Sequence, residues 1–179
     1  MTPGATLRGD APHDADYGAW TGYRIPDDRS SWHPAVRGLY DYWRAITPPG
    51  RLPGRQHIKP EDIAPLLPRL WMVDIHTNPF RLRFRLVGTA ITRTVHREFT
   101  GWWFDEAQPE AAQNIELRDR YRFMIDAKQP TWRRGPAWWR QEPGGRFVEN
   151  CLAPLATDGE NVDKVIAAVI FFDVNGREL

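Results

Sequence analysis

The sequence predicts an α+β fold, read as one helix, two strands, an irregular helical stretch, a second helix and three closing strands. Three observations carry that prediction. Apolar residues recur at helical spacing from Val36 to Ile46. Arg81 to Leu86 alternates charged and apolar side chains at strand spacing, and Val165 to Phe172 is an almost unbroken apolar run. Between the second strand and the second helix, Gly88 to Pro109 is too irregular for one helix and too apolar for a solvent loop. Its Ile91, Val95, Phe99, Trp102, Trp103 and Phe104 need burial, because large aromatic side chains dominate local energetics. Short helical turns laid across a sheet face bury them and enclose a cleft.

Composition narrows the function classes. A chain of 179 residues fits one domain that buries about 70% of its unfolded surface. Hydrophobic content of 41% and charged content of 26% are those of an ordinary soluble globular protein. A formal net charge of +1 argues against a dedicated nucleic-acid binder. Cys151 is the single cysteine, which excludes an intrachain disulfide framework and a cysteine-based zinc site. No apolar run approaches the ~20 residues that span a bilayer, and the N-terminus lacks a signal-like core. No membrane association is expected, and the cytoplasm is the expected compartment. Nine tryptophans exceed what a generic core requires.

Residues 1–30 are rich in Gly, Pro, Asp and Arg without helical or strand period, and read as a tail, flexible or laid over the surface. Residues 31–50 hold the first helix. Ser31 offers an N-cap, Pro34 is tolerated in the first turn, and Val36, Leu39, Tyr40, Trp43 and Ile46 form one apolar face. Pro48-Pro49-Gly50 stops it. This helix either caps the chain's own sheet or pairs with its copy in a homodimer. Residues 51–179 form the main domain. Pro53, Pro60, Pro65 and Pro68 permit only short turns before the first strand, Leu70 to His76. Asn78-Pro79 then turns the chain into the second strand, Phe80 to Val87. Leu82, Phe84 and Leu86 face inward there, and the three intervening arginines face out. Pro109 opens a helix running to about Lys128, with Leu117, Tyr121, Met124, Ile125 and the Lys128 stem on one face. The closing strands are Thr131 to Arg140, Phe147 to Leu155 and Val162 to Val174, the last two joined by an Asp158-Gly159 hairpin turn.

Several local sequences resemble a known family. Val87-Gly88-Thr89, then Thr100-Gly101-Trp102-Trp103-Phe104-Asp105-Glu106 and Pro109, resemble the PAS pattern of a glycine after the second strand, a TG pair, a buried aromatic and an acidic-proline turn. Leu39-Tyr40-Asp41-Tyr42-Trp43, Gly50-Arg51-Leu52-Pro53, Leu67-Pro68, and Pro154-Leu155 with Asp158-Gly159 are similar to a bacterial family of short, single-domain PAS proteins. The resemblance covers roughly Pro34 to Asp173. It implies a five-stranded antiparallel sheet covered by helices on one face, used for sensing, signal transduction or protein–protein interaction. It also implies dimerisation through an N-terminal helix and the outer sheet face. It supplies no catalytic residue.

The chemistry is then tested residue by residue. A flavin photosensor needs a cysteine over the ring, and Gly88 to Pro109 has none, so flavin photochemistry is unsupported. Haem needs an axial ligand; His96 is in the right neighbourhood, but the helix from Pro109 to Lys128 has no histidine. No metal site is expected. A citrate-like ligand needs inward cations, for which Arg97, Arg133 and Arg134 are candidates. No hydrolase elbow, phosphate loop or metalloprotease helix is present. His96 with Asp105 or Glu149 can be assembled into an acid–base pair, of a kind any chain this size offers by chance. From Arg69 to Thr100 six arginines face Asp74 and Glu98, a surplus of +4. Arg81, Arg83 and Arg85 either present a basic stripe to an acidic partner or keep the sheet from sticking.

The expected cleft-lining residues are His96, Trp103, Tyr121, Trp132 and Cys151. The expected capping or dimer surface is Leu39, Tyr40, Trp43 and Trp138. The reading is a non-catalytic sensory domain with a small-molecule ligand. With no kinase, cyclase or DNA-binding segment in the sequence, its output is expected through a signalling protein partner. Two alternatives stand beside it. One is a ligandless dimeric adaptor with a cleft filled by tryptophan. The other is a small-substrate enzyme of cone-like α+β fold, which normally places several helices before a longer sheet.

Overall fold

Alternating residues build the sheet, and the unbroken apolar run lies at its centre. The computed structural model describes residues 24–136 and 147–179. Strands β1 (Leu70–Thr77), β2 (Phe80–Val87), β3 (Thr131–Pro136), β4 (Phe147–Leu155) and β5 (Lys164–Phe172) form one sheet in the order β2-β1-β5-β4-β3. Every neighbouring pair is antiparallel. β5 is central and buried on both faces from Val165 to Phe172, which is why its sequence does not alternate.

Helix α1 (Pro34–Ile46) lies across one face of the sheet and buries Ala35, Val36, Leu39 and Trp43. Those side chains join Leu70, Met72, Trp132, Cys151, Ile166, Ile170 and Phe172 in one apolar cluster. Its N-cap is His33, not the expected Ser31: the His33 ring nitrogen Nδ1 accepts the Ala35 N–H at 3.1 Å. At the other end, the Trp43 indole donates to Pro154 O at 2.7 Å and ties the helix to β4. The incoming segment is fixed to the β4–β5 turn, with Leu52 N–H donating to Gly159 O (2.8 Å) and Ala156 N–H to Pro53 O (2.9 Å).

The opposite face carries α2 (Thr89–Val95), α3 (Phe104–Ala107), α4 (Pro109–Ala112) and α5 (Ile115–Ala127). The single helix expected from Pro109 to Lys128 is interrupted. Asn114 takes extended backbone angles and its side chain caps a new start, accepting the Leu117 N–H. α5 ends at Lys128, whose φ of 54° lies in the left-handed region. Gly88 joins β2 to α2 beside the Leu67–Arg69 turn. A Cβ there would fall 2.3 Å from Pro68 O and 2.5 Å from Leu67 O, both backbone, so no other residue fits. Among the described residues, no helix is long and apolar enough to cross a membrane.

Candidate ligand-binding cleft

The helical crossover from Gly88 to Pro109 is held on the sheet by its own residues. Phe84 N–H donates to Trp102 O (2.9 Å) and Gly101 N–H to Phe84 O (2.8 Å), so the segment pairs along the free edge of β2. Gly101 makes the turn at φ +86°, where a side chain would be strained. The outward arginines of β2 then clamp the segment. Arg81 reaches both Asp105 carboxylate oxygens at 2.8 and 2.9 Å, and its guanidinium lies 4.1 Å over the Trp103 ring. Arg83 donates to Gly101 O at 2.9 Å, and Arg85 lies 3.9 Å from Asp74. The Arg81 hydrogen bond holds the Asp105 carboxyl below its ordinary value. The basic run of β2 therefore serves largely to pin the chain to itself.

Behind this clamp, Ile91, Phe99 and Phe104 turn inward onto Phe84, with Phe84–Phe99 centroids 4.5 Å apart and Phe84–Phe104 centroids 5.5 Å apart. A cavity of about 70 Å³ lies between these rings and α5, β3 and β4. A second of about 150 Å³, sharing Phe104, Leu117 and Tyr121 with the first, lies under Phe80 to Leu82. One end of the inner cavity is polar. Arg120 is 0% exposed, donating through Nε to Thr131 Oγ1 (2.8 Å) and through its terminal nitrogens to Asn150 Oδ1 (2.6 Å) and Thr131 O (3.1 Å). Arg133, 2% exposed, pairs with the buried Glu116 at 3.2 Å. Burial pushes the Glu116 carboxyl up, against the opposing pull of Arg133 and Arg120. Tyr121 lines both cavities, is 1% exposed, and its hydroxyl has no hydrogen-bond partner among the described residues. Burial raises its pKa far above the ordinary phenol value.

A PAS domain family model matches residues 31–170. The chain belongs to the PAS domain family. No curated protein matches it. A solved structure described as an RNA-binding Light-Oxygen-Voltage receptor matches with a TM-score of 0.44 at 16% identity, covering 86% of this chain and 37% of that one. This PAS chain thus spans little more than a third of that neighbour's length. The five-stranded antiparallel sheet and the helical crossover are the PAS α+β fold, and the domain is of the sensory and signalling kind.

Within the PAS domain the five expected cleft residues separate. Tyr121 lines the cavities. Trp132 and Cys151 face each other across the β3–β4 pair and belong to the cluster under α1, on the opposite side of the sheet from the cleft. Residues 131 and 133 are the cleft-facing members of β3, and strand parity sends 132 the other way. There the Trp132 ring stacks on Trp32, with centroids 5.0 Å apart and planes within 5°. Burial pushes the Cys151 thiol up to about 12, so it stays protonated and inert near neutral pH. His96 is exposed at the C-cap of α2, with φ 55°. Trp103 lies half-buried on the edge of β2 between Arg81 and His76, and its neighbour Phe104 takes the inward position.

Of the three arginines considered for an anion, Arg133 faces the cleft. Arg97 stacks over the exposed Trp102 at 4.4 Å, and Arg134 lies 3.8 Å from Glu149 on the far face. Glu149 accepts the His33 N–H and the Trp132 indole under α1, so it lies across the sheet from the crossover that carries His96. On the expected capping surface, Leu39 and Trp43 are buried against the chain's own sheet. Tyr40 is half-buried with its edge on Trp32, and Trp138 lies outside the described residues. Leu39 and Trp43 therefore cap this sheet, and a dimer seam through them would require α1 to leave it. Sequence reasoning missed Arg120 and Glu116 because charged residues beside an apolar helical stripe normally face water. Among the described residues, no cluster of three His, Cys, Asp or Glu side chains is placed to hold a metal ion.

Proposed function

We propose that this PAS chain is a non-catalytic receptor that takes a small molecule in the cleft and reports occupancy through α1. One arrangement carries this reading: β3 and β4 form a wall shared by both sites. Arg133 and Asn150 line the cavity, with Thr131 accepting from Arg120 beside them, while Trp132 and Glu149 hold the start of α1 on the other side. A ligand that shifts β3 or β4 alters the seat of α1, and a differential affinity for two such seats is what a population shift requires. A signalling protein that reads α1 or its surroundings receives the output.

The test is a native mass spectrum of the purified chain beside a denatured one. Extra mass that denaturation releases supports the receptor. Bare mass together with self-association supports a second reading, a ligandless dimeric adaptor. That second reading has an observation in its favour, since Phe84, Phe99 and Phe104 fill much of the cleft and leave cavities of only about 70 and 150 Å³.

A further inference from the structure

Buried charge is costly, and here two buried arginines line one largely apolar cavity. Arg120 enters from α5 and Arg133 from β3, with Glu116 the carboxylate between the two elements. Next to Arg120 in sequence, the buried Tyr121 carries a hydroxyl that meets no partner among the described residues, an arrangement that costs free energy unless something accepts from it. Much of the remaining wall is apolar, with Phe84, Phe99 and Phe104 presenting ring faces and edges that suit a flat apolar body.

We infer that the cleft takes a small monocarboxylate with a flat apolar body, its carboxylate toward Arg120, Arg133 and the Tyr121 hydroxyl and its body against the phenylalanines. This rests on the reading of the cleft as a ligand site. Two features make the class specific. A cation would meet both guanidinium groups at close range in a low dielectric, and a neutral analogue would forgo the attraction of two guanidinium groups that the Glu116 carboxylate balances only in part. The cavity of about 70 Å³ that the arginines line has room for the carboxylate, and the adjoining one of about 150 Å³, which shares Tyr121 and Phe104 with it, for a body no larger than one aromatic ring.

The experiment titrates the whole chain with sodium benzoate and, separately, with the neutral benzyl alcohol, following amide resonances of Phe99, Phe104 and Asn150. Benzoate is expected to shift these resonances saturably and to bind at least tenfold more tightly than benzyl alcohol. Tyr121→Phe, which keeps the ring, is expected to weaken benzoate by about tenfold, the scale of a hydrogen bond to a charged group, and to weaken benzyl alcohol, a neutral acceptor, by less. Equal binding of the two probes overturns the carboxylate class and leaves the ligand-site reading standing. Releasable mass in the native spectrum with no response to either probe does the same. Bare mass and no response overturn both.

Discussion

The two faces of this sheet are buried to similar extents but built to different ends. Under α1 most polar groups are exchanged within the chain: Trp43 donates to Pro154 O, and Glu149 accepts from both His33 and Trp132, while the Trp32 indole N–H and the second Glu149 oxygen make no hydrogen bond among the described residues. The intervening contacts are apolar, with Val36, Leu39, Leu155 and Ala168 all at 0% exposure. On the cleft face the packing is interrupted by cavities, two buried arginines and a tyrosine hydroxyl without a partner. The difference teaches where stability is generated and where it is given up. One face holds the fold; the other carries groups that a core built for stability alone would replace with hydrocarbon.

The largest expected effect lies on the α1 face. Leu39→Ala removes a fully buried side chain and should cost about 3–4 kcal/mol, read as a lower urea midpoint at unchanged m. A loss below about 1 kcal/mol would mean that α1 is only loosely seated. Glu149→Leu should follow at about 2–3 kcal/mol, because a buried indole N–H and the half-buried His33 N–H lose their acceptor. The same variant should accelerate amide exchange at His33 and Ala35, while α5 stays protected. Equal acceleration on both faces would erase the distinction between them.

Tyr121→Phe is expected to act with the opposite sign. Removing a buried hydroxyl that has no partner among the described residues should raise stability by about 1 kcal/mol, seen as a higher melting temperature. A lower melting temperature would show that the hydroxyl is satisfied in solution and that the cleft is ordinary core.

The smallest effect concerns pH at the Asp158-Gly159 turn, beside the segment that leads from α1. Hydrogen bonds from the Asn161 side chain and from the Glu160 and Asn161 amides hold the Asp158 carboxyl down to about 2, from an ordinary 3.8. A carboxyl depressed on folding contributes stability that is present above pH 3.8 and lost as the pH falls through about 2. Melting curves of wild type and Asp158→Ala should therefore differ at neutral pH and draw together near pH 2. A constant gap would assign the turn's strength to something other than this carboxylate.

Much of the architecture was readable from the residues. Alternation at Arg81 to Leu86, the apolar run of β5, and the aromatic crossover led to five antiparallel strands with the crossover helices on one face, as found, while α1 covers the other. The break before α5 was not, because Asn114 ends one turn and caps the next within a pattern that still looks helical. The site was read less well, for a reason intrinsic to this sheet. Both faces are buried, so period-two alternation separates residues into two sets without saying which set faces the cleft. Trp132 and Cys151 fall in the set that packs under α1, while Tyr121, on the apolar stripe of α5, lines the cavities. His96 and Trp103 lie in a stretch with no period, where neighbours such as Trp103 and Phe104 point differently according to how Arg81 and the β2 edge receive them.

The most direct test of a shared wall between cleft and helix is hydrogen exchange of the full chain with and without saturating benzoate. The account predicts slower exchange at Thr131 and Arg133 in β3, and with it slower exchange at Ala35 and Val36 in the first turn of α1. Protection confined to the cleft, with α1 exchanging at its ligand-free rate, would contradict it.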